Sequence, residues 1–356
     1  EMFKFFDRDN STLVLRPDMT PAVARCVAKY FADDVMPLRL CYLERTFKNN
    51  TSYQGRLKER AETGAELIGD DSADADAEMI AMVIDSLRAA GLKEFQVELG
   101  QVAFYRSLLS EAGLDESVEE ELKRLIENKN YFGVEELLKS QSMDEALKNV
   151  FLKLPEFFGP LDRITEAGKL TGNPQALAAI ERLKQVHRIL ESYGLADYVS
   201  YDLGMLSKYQ YYTGIIFKAY TYGTGDYIVT GGRYDKLLVQ FGKDTPAVGF
   251  VIVVDQLMAA LLRQQIDTPV SLVNTVILYE TSARDRAILL GRYFRERKIA
   301  VQSMRRQDGI SLDSYRNMAV ERNMRNLLYL KEDGLIVTAM DMVNGSADEI
   351  PISAYE

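Results

Sequence analysis

Residues 104–195 constrain this chain more than any other stretch. They are dominated by Leu, Glu, Lys and Ala at helical spacing, with breaks at Gly113, Gly133 and Gly159-Pro160. Strand texture lies on both sides. Leu38–Phe47, Glu59–Ile68 and the alternating Phe95, Val97 and Leu99 come before; Tyr198–Leu203, Tyr211–Tyr220, Tyr227–Thr230 and Ala247–Val254 come after. The block is therefore read as a helical insertion, and its charge runs as solvated helix faces. Gly223-Thr-Gly-Asp is a hairpin signal, and a short helix is expected around Tyr234–Phe241.

Two helices are expected ahead of the insertion. Pro21 to Phe31 has helical apolar spacing, with Thr20 as N-cap and Pro21 at the first helical position. Asp70 to Asp76 is an acidic helix entry, and Met79, Ile80, Met82, Val83 and Leu87 form one helical face before Gly91. Arg263 to Pro269 looks like a linker. Beyond it, strand Val276–Tyr279, helix Ala283–Arg297, strand Ile299–Ser303, a helix, and strands Leu327–Leu330 and Leu335–Met340 predict a small α/β domain with a mostly parallel sheet. The expected domains are 1–265 and 275–356, in keeping with a chain of 356 residues.

Composition removes several chemistries. His187 is the only histidine and lies in a helical pattern, so triads and histidine-based metal sites are essentially excluded and no metal is expected. Cys26 and Cys41 are the only cysteines, too few for a disulfide framework or a zinc site, and a reducing cytoplasm is the expected compartment. The formal net charge of −10 argues against a large basic nucleic-acid surface. No apolar run approaches the roughly 20 residues of a membrane span. The chain opens without a basic-then-apolar leader, so no signal peptide is expected. Residue 1 is Glu, not Met, which points to a further N-terminal piece upstream.

Four segments occur in a telling order: Leu15-Arg-Pro-Asp-Met-Thr; Phe47-Lys with Gly55-Arg-Leu-Lys-Glu and Gly64-Ala-Glu-Leu-Ile-Gly; Tyr211-Tyr-Thr-Gly; and Gly231-Gly-Arg-Tyr-Asp followed by Pro246-Ala-Val-Gly-Phe. Together they resemble the catalytic domain of histidyl-tRNA synthetase over nearly all of 1–260. The resemblance implies an α+β fold: a class II aminoacyl-tRNA synthetase-like antiparallel sheet flanked by helices, with a helical insertion and a small C-terminal α/β domain where that family carries its anticodon-binding domain. The same scaffold serves the regulatory subunits of ATP phosphoribosyltransferase. Leu15-Arg-Pro-Asp-Met-Thr-Pro is closer to that group, since synthetases usually show Glu-Gly-Thr after the Arg-Pro.

Chemistry separates the two groups. Adenylate formation needs arginine forks on phosphate oxygens and preorganised positive charge. The arginine of the family's second motif falls at Lys48 and its acidic partner at Asn50. The arginine before the tyrosine pair falls at Ser207, and that of the third motif at Gln256. Loss of one such donor typically costs about 10²–10³ in rate, so no catalytic residue is expected. The amino-acid pocket is better kept. By resemblance the ammonium-binding carboxylate maps to Asp18 beside Thr20, the pocket's Gln to Glu62, its Glu to Glu66, and the enclosing tyrosines to Tyr211 and Tyr212. Lys48, Arg56 and Arg233 are candidate anion contacts.

Each residue also has a plain structural reading. Asp18 and Thr20 can cap the helix at Pro21, with Thr20 expected to do so in either case. Tyr211 and Tyr212 can be ordinary strand residues. Arg233 can pair with Asp235 or another acid. The first expectation is a non-catalytic regulatory subunit that assembles with the short catalytic subunit of ATP phosphoribosyltransferase. It would be a homodimer within a hetero-oligomer, with histidine as effector, no cofactor, and neither tRNA nor a membrane as partner. The alternatives are a divergent histidyl-tRNA synthetase and a histidine- or nucleotide-sensing regulator of another system.

Overall fold

The computed structural model describes residues 2–49, 57–207, 211–268 and 274–355. The chain forms two compact units, Glu1–Thr268 and Pro269–Glu356.

The first unit opens with a hairpin, β1 (Lys4–Phe6) and β2 (Thr12–Val14), and then α1 (Thr20–Tyr30). Next come β3 (Leu38–Phe47), β4 (Glu59–Ile68), α2 (Ala73–Ala89) and β5 (Phe95–Gln101). The insertion follows as α3 (Val102–Ala112), α4 (Glu116–Glu127), α5 (Tyr131–Lys139), α6 (Glu145–Lys153), the two-residue β6 (Phe158–Gly159), α7 (Leu161–Ala167) and α8 (Pro174–Tyr193). The chain then returns to the sheet through β7 (Val199–Asp202), β8 (Ile215–Thr221), β9 (Val229–Arg233) and β10 (Ala247–Val253), and closes with α9 (Val254–Arg263).

Eight of these strands form one sheet in the order β3-β4-β10-β9-β8-β5-β7-β6. Every pairing is antiparallel except β5 with β7. That exception has a simple origin. The insertion separates β5 from β7, and a helical crossover of that length can bring the chain back in the same direction. The insertion is not purely helical, since Phe158 and Gly159 pair with β7 at the sheet's end.

The sheet separates two apolar clusters by the period-2 rule of strands. On one face Leu67, Val97, Leu99, Phe217 and Val229 pack with Ile80, Ile84 and Leu87 of α2, with Leu183 and Val186 of α8, and with insertion residues such as Leu122 and Phe151. On the other, Ala24 and Val27 of α1 pack with Ile68, Ile216, Tyr212, Tyr234 and Ala247. Full burial of one such aliphatic side chain contributes about 1.5–3 kcal/mol. This second, smaller cluster ends where polar residues take over the sheet face, and the candidate site lies there.

Three local readings are corrected. Thr20 is the first residue of α1 and not its cap; Met19 holds the cap position and makes no side-chain cap bond. The Thr20 hydroxyl is used elsewhere, as described below. The strand expected from Tyr211 begins only at Ile215, so Tyr211 and Tyr212 stand in the turn before β8. The helix expected around Tyr234 is a single 3₁₀ turn, Leu238–Phe241.

The second unit contains β11 (Thr275–Tyr279), α10 (Arg284–Glu296), β12 (Val301–Arg305), α11 (Leu312–Glu321), β13 (Asn326–Leu330), β14 (Ile336–Asp341) and β15 (Ala347–Pro351). Its sheet runs β12-β11-β13-β14-β15. Only the β11–β12 and β11–β13 pairs are parallel; β13–β14 and β14–β15 are antiparallel. The sheet is thus mixed, not mostly parallel. The difference comes from two antiparallel returns, β14 along β13 and then β15 along β14, the last an edge strand of sequence ADEIP whose exposed residues carry no alternating apolar signal.

Candidate functional site

β4 builds the site. Arg60, Glu62, Gly64, Glu66 and Ile68 share one face by strand alternation, and all are buried. Glu66 lies opposite Gly249 of β10, which lies opposite Gly232 of β9. These glycines are a spatial requirement. A Cβ on Gly249 would sit on the Glu66 carboxylate, and one on Gly232 would come within 2.8 Å of the Tyr212 ring. The Gly-Gly-Arg-Tyr-Asp and Pro-Ala-Val-Gly-Phe segments therefore clear a floor for the side chains that meet above it.

Those side chains form one hydrogen-bonded chain. Tyr211 Oη donates to Asp18 Oδ2 at 2.9 Å, and the Thr20 backbone N–H donates to Asp18 Oδ1 at 3.1 Å. Thr20 Oγ1 donates to Glu66 Oε1 at 2.9 Å, and Tyr234 Oη donates to Glu66 Oε2 at 2.5 Å. The Tyr211 ring lies 4.8 Å from that of Tyr212 and 6.0 Å from that of Tyr234, centroid to centroid. Asp18, Thr20, Glu62, Tyr211 and Tyr212 line one pocket together with Lys48, Arg60, Tyr227, Thr230 and Gly249. All six residues expected in the amino-acid site are brought together.

Burial sets the electrostatics. It pushes the Glu66 carboxyl up to about 8, against the hydroxyl bonds from Tyr234 and Thr20 that favour its anion. Glu62 is raised as well, chiefly by burial, with Lys48 the strongest opposing influence. Tyr42 of β3 sits over Gly64. Its hydroxyl is driven far above the usual range by burial and by the charges of Glu66, Asp18 and Glu62. The arrangement suits a ligand with cationic or N–H donor groups, because the carboxyls gain most when such a group replaces lost water.

The anion contacts divide. Lys48 lines the pocket. Arg56 lies outside the described residues, as does Asn50. Arg233 is corrected: alternation along β9 turns it to the opposite sheet face, where it is 5% exposed. There Nε donates to Asp76 Oδ1 at 2.8 Å, Nη1 to Asp235 Oδ1 and the Asp70 carbonyl at 3.0 Å each, and Nη2 to the Ser72 carbonyl at 3.3 Å. Asp76 is fully buried and also binds Arg182 of α8 at 2.7 Å. Arg233 therefore ties β9 to the start of α2 and has no free face for a ligand.

Sequence reasoning missed Tyr42, Arg60 and Tyr234 as site residues. Tyr234 was within a quoted motif, but its role depends on the β9–β10 register, which brings it to Glu66. Tyr42 and Arg60 are placed by the β3–β4 ladder, in which Tyr42 pairs with Gly64 and Arg60 with Thr46. Alternation from Glu62 and Glu66 was the one signal that could have found Arg60.

Known proteins share this arrangement of elements. A family model described as histidyl-tRNA synthetase matches residues 1–257. An ATP phosphoribosyltransferase regulatory subunit from Acetivibrio thermocellus is 37% identical over 352 residues, 99% of this chain and 84% of its own length. The chain belongs to the ATP phosphoribosyltransferase regulatory subunit family. A solved structure from Bacillus halodurans, named as an ATP phosphoribosyltransferase regulatory subunit/histidyl-tRNA synthetase, is 34% identical with a TM-score of 0.79, covering 93% of this chain and 83% of that one. A histidyl-tRNA synthetase from a Nostoc species shares the fold at 18% identity and a TM-score of 0.75, over 99% of this chain and 85% of that one. The family's regulatory subunits thus use a class II synthetase-like fold, and this chain has that fold. Among the described residues no helix is long and apolar enough to cross a membrane.

Proposed function

We propose that this chain is the non-catalytic regulatory subunit of an ATP phosphoribosyltransferase, acting in the first step of histidine biosynthesis. It assembles with a short catalytic subunit, switches that subunit on, and carries histidine feedback through the pocket at Asp18, Thr20, Glu62, Glu66, Tyr211 and Tyr212. One observation carries the reading. The amino-acid side of the site is a closed network of carboxyls and hydroxyls, whereas the phosphate-facing positions hold Lys48, Ser207 and Gln256. Such a site holds an amino acid without activating it.

Histidine suits the network because its ammonium is a cation for the Asp18 carboxylate and its imidazole offers an N–H donor toward Glu66. Feedback then requires histidine to favour one arrangement of the assembly, since equal affinity for two states shifts neither. The assembly has a homodimer of this chain at its core, and the subunit works in the cytoplasm. The second unit corresponds in position to the anticodon-binding domain of the synthetases.

The test is phosphoribosyl transfer to ATP by a short catalytic subunit from the same organism, with and without this chain. Activity should rise on adding the chain and fall again as histidine is titrated. No effect on a demonstrably competent catalytic preparation refutes the proposal. A histidine-dependent ATP–pyrophosphate exchange signal from this chain alone points to a working synthetase instead.

A further inference from the structure

Arg60 and Arg233 are both buried arginines, 7% and 5% exposed, yet their surroundings differ. Arg233 spreads its guanidinium over two carboxylates and two carbonyls. The Arg60 side chain makes no hydrogen bond or ion pair with any described residue, although it lines the pocket. Its charge acts on Glu62, two residues along the same face, without closing to an ion pair. Guanidinium offers five donors in a fixed fork, and here that fork belongs to a residue lining the pocket, where an acceptor can reach it. An acceptor from outside the chain can take up those donors without displacing a partner among the described residues.

We propose that Arg60 is the anion-recognition residue of the pocket and reads the carboxylate of the bound amino acid. The assignment rests on the amino-acid reading given above and adds the group that makes the site selective. Polarity along β4 supports it. From Arg60 to Glu62 the strand rises about 7 Å, and from Glu62 to Glu66 about 13 Å, so the cation lies at one end of the carboxyl series. Lys48 lines the same pocket and its charge also acts on Glu62. A zwitterion with N–H donors toward Glu66 and Asp18 and a carboxylate toward Arg60 matches that order. A simple amine leaves the arginine unmet. Arginine is the side chain suited to this task, because its fork takes both oxygens of a carboxylate at once.

The experiment is calorimetric titration of the full chain with L-histidine, with histamine (the same amine and imidazole without the carboxylate) and with inorganic phosphate. Wild type, Arg60→Gln and Arg60→Lys are compared, with thermal melts to verify folding. Wild type should prefer histidine to histamine. Arg60→Gln should weaken histidine about 10- to 100-fold, the range for a lost charged hydrogen bond, and leave histamine unchanged. Arg60→Lys should recover part of the loss.

A folded Arg60→Gln that keeps the preference for histidine overturns the assignment, as does an equal loss of both ligands. Phosphate binding abolished by Arg60→Gln with histidine affinity intact overturns it too, and gives Arg60 to a separate oxyanion. Absence of histidine binding by the wild-type chain refutes the amino-acid reading itself, and the carboxylate assignment with it.

Discussion

A methyl group on Gly249 would meet the Glu66 carboxylate and lie 2.8 Å from the Ala65 carbonyl oxygen. The carboxylate cannot simply step aside, because Thr20 and Tyr234 hold its two oxygens. Gly249→Ala should therefore abolish detectable histidine binding and lower stability by about 1–3 kcal/mol through overpacking. Denaturant unfolding and calorimetry check the two effects separately. Glu66 gives a second residue-scale prediction. Its folded pKa of about 8 lies above its ordinary 4.5, so between those values the folded chain holds a proton that the unfolded chain releases. That contribution to stability is fullest below the lower value and is lost as pH rises toward the upper one. Glu66→Gln lacks this loss. The difference in Tm, variant minus wild type, should grow as pH rises from about 5 to about 8; a flat difference contradicts the burial account. At this scale Asp18, Thr20, Glu62, Glu66, Tyr211 and Tyr212 were legible because motif segments carried them. Arg60 and Tyr42 were not. A charged residue in a strand reads as solvent-facing until the register shows that its face is covered.

Among the elements, β9, α2 and α8 meet at a single carboxylate. Asp76 enters the first turn of α2, is fully buried, and receives Arg233 from β9 and Arg182 from α8. Burial favours its protonated form, and the two guanidinium groups oppose that. Removing the acid leaves Arg233 buried beside Asp235 alone among its carboxylate partners. Asp76→Ala should cost about 3–5 kcal/mol, the range for breaking a buried pair from one side. Arg182→Ala should cost less, since Arg182 keeps a side-chain exposure of 25%. Equal losses from the two variants in urea unfolding contradict this ordering. Strand boundaries at β3 and β4 were readable to the residue, because their sequences are uninterrupted and bounded by polar loops. The 3₁₀ turn at Leu238–Phe241 and the edge strand β15 were not, since neither has a periodic apolar signal. The mixed order of the second unit's sheet was not legible either, because the antiparallel return of β14 along β13 is a matter of pairing and β15 carries no strand signal.

Over the whole molecule, the helical block between β5 and β7 leaves the antiparallel order of the other strands undisturbed and returns α8 against α2. The synthetase-like scaffold survives, with hydrogen-bonded side chains at the proposed amino-acid pocket and Lys48, Ser207 and Gln256 at the positions proposed to face phosphate. That combination was visible in the sequence as four ordered motifs with three arginine positions altered, at Lys48, Ser207 and Gln256. The placement of Arg233 on the opposite face was not, because a single motif says nothing about which side of a sheet each residue takes. The central claim is that the pocket built around Glu66 senses histidine and does not activate it. The most direct measurement is histidine inhibition of the reconstituted transferase with wild-type chain and with Tyr212→Ala, each checked for assembly with the catalytic subunit. The account predicts that both chains switch transfer on and that only the wild type lets histidine switch it off. Histidine inhibition with Tyr212→Ala equal to that with the wild type, in a properly assembled complex, would contradict it.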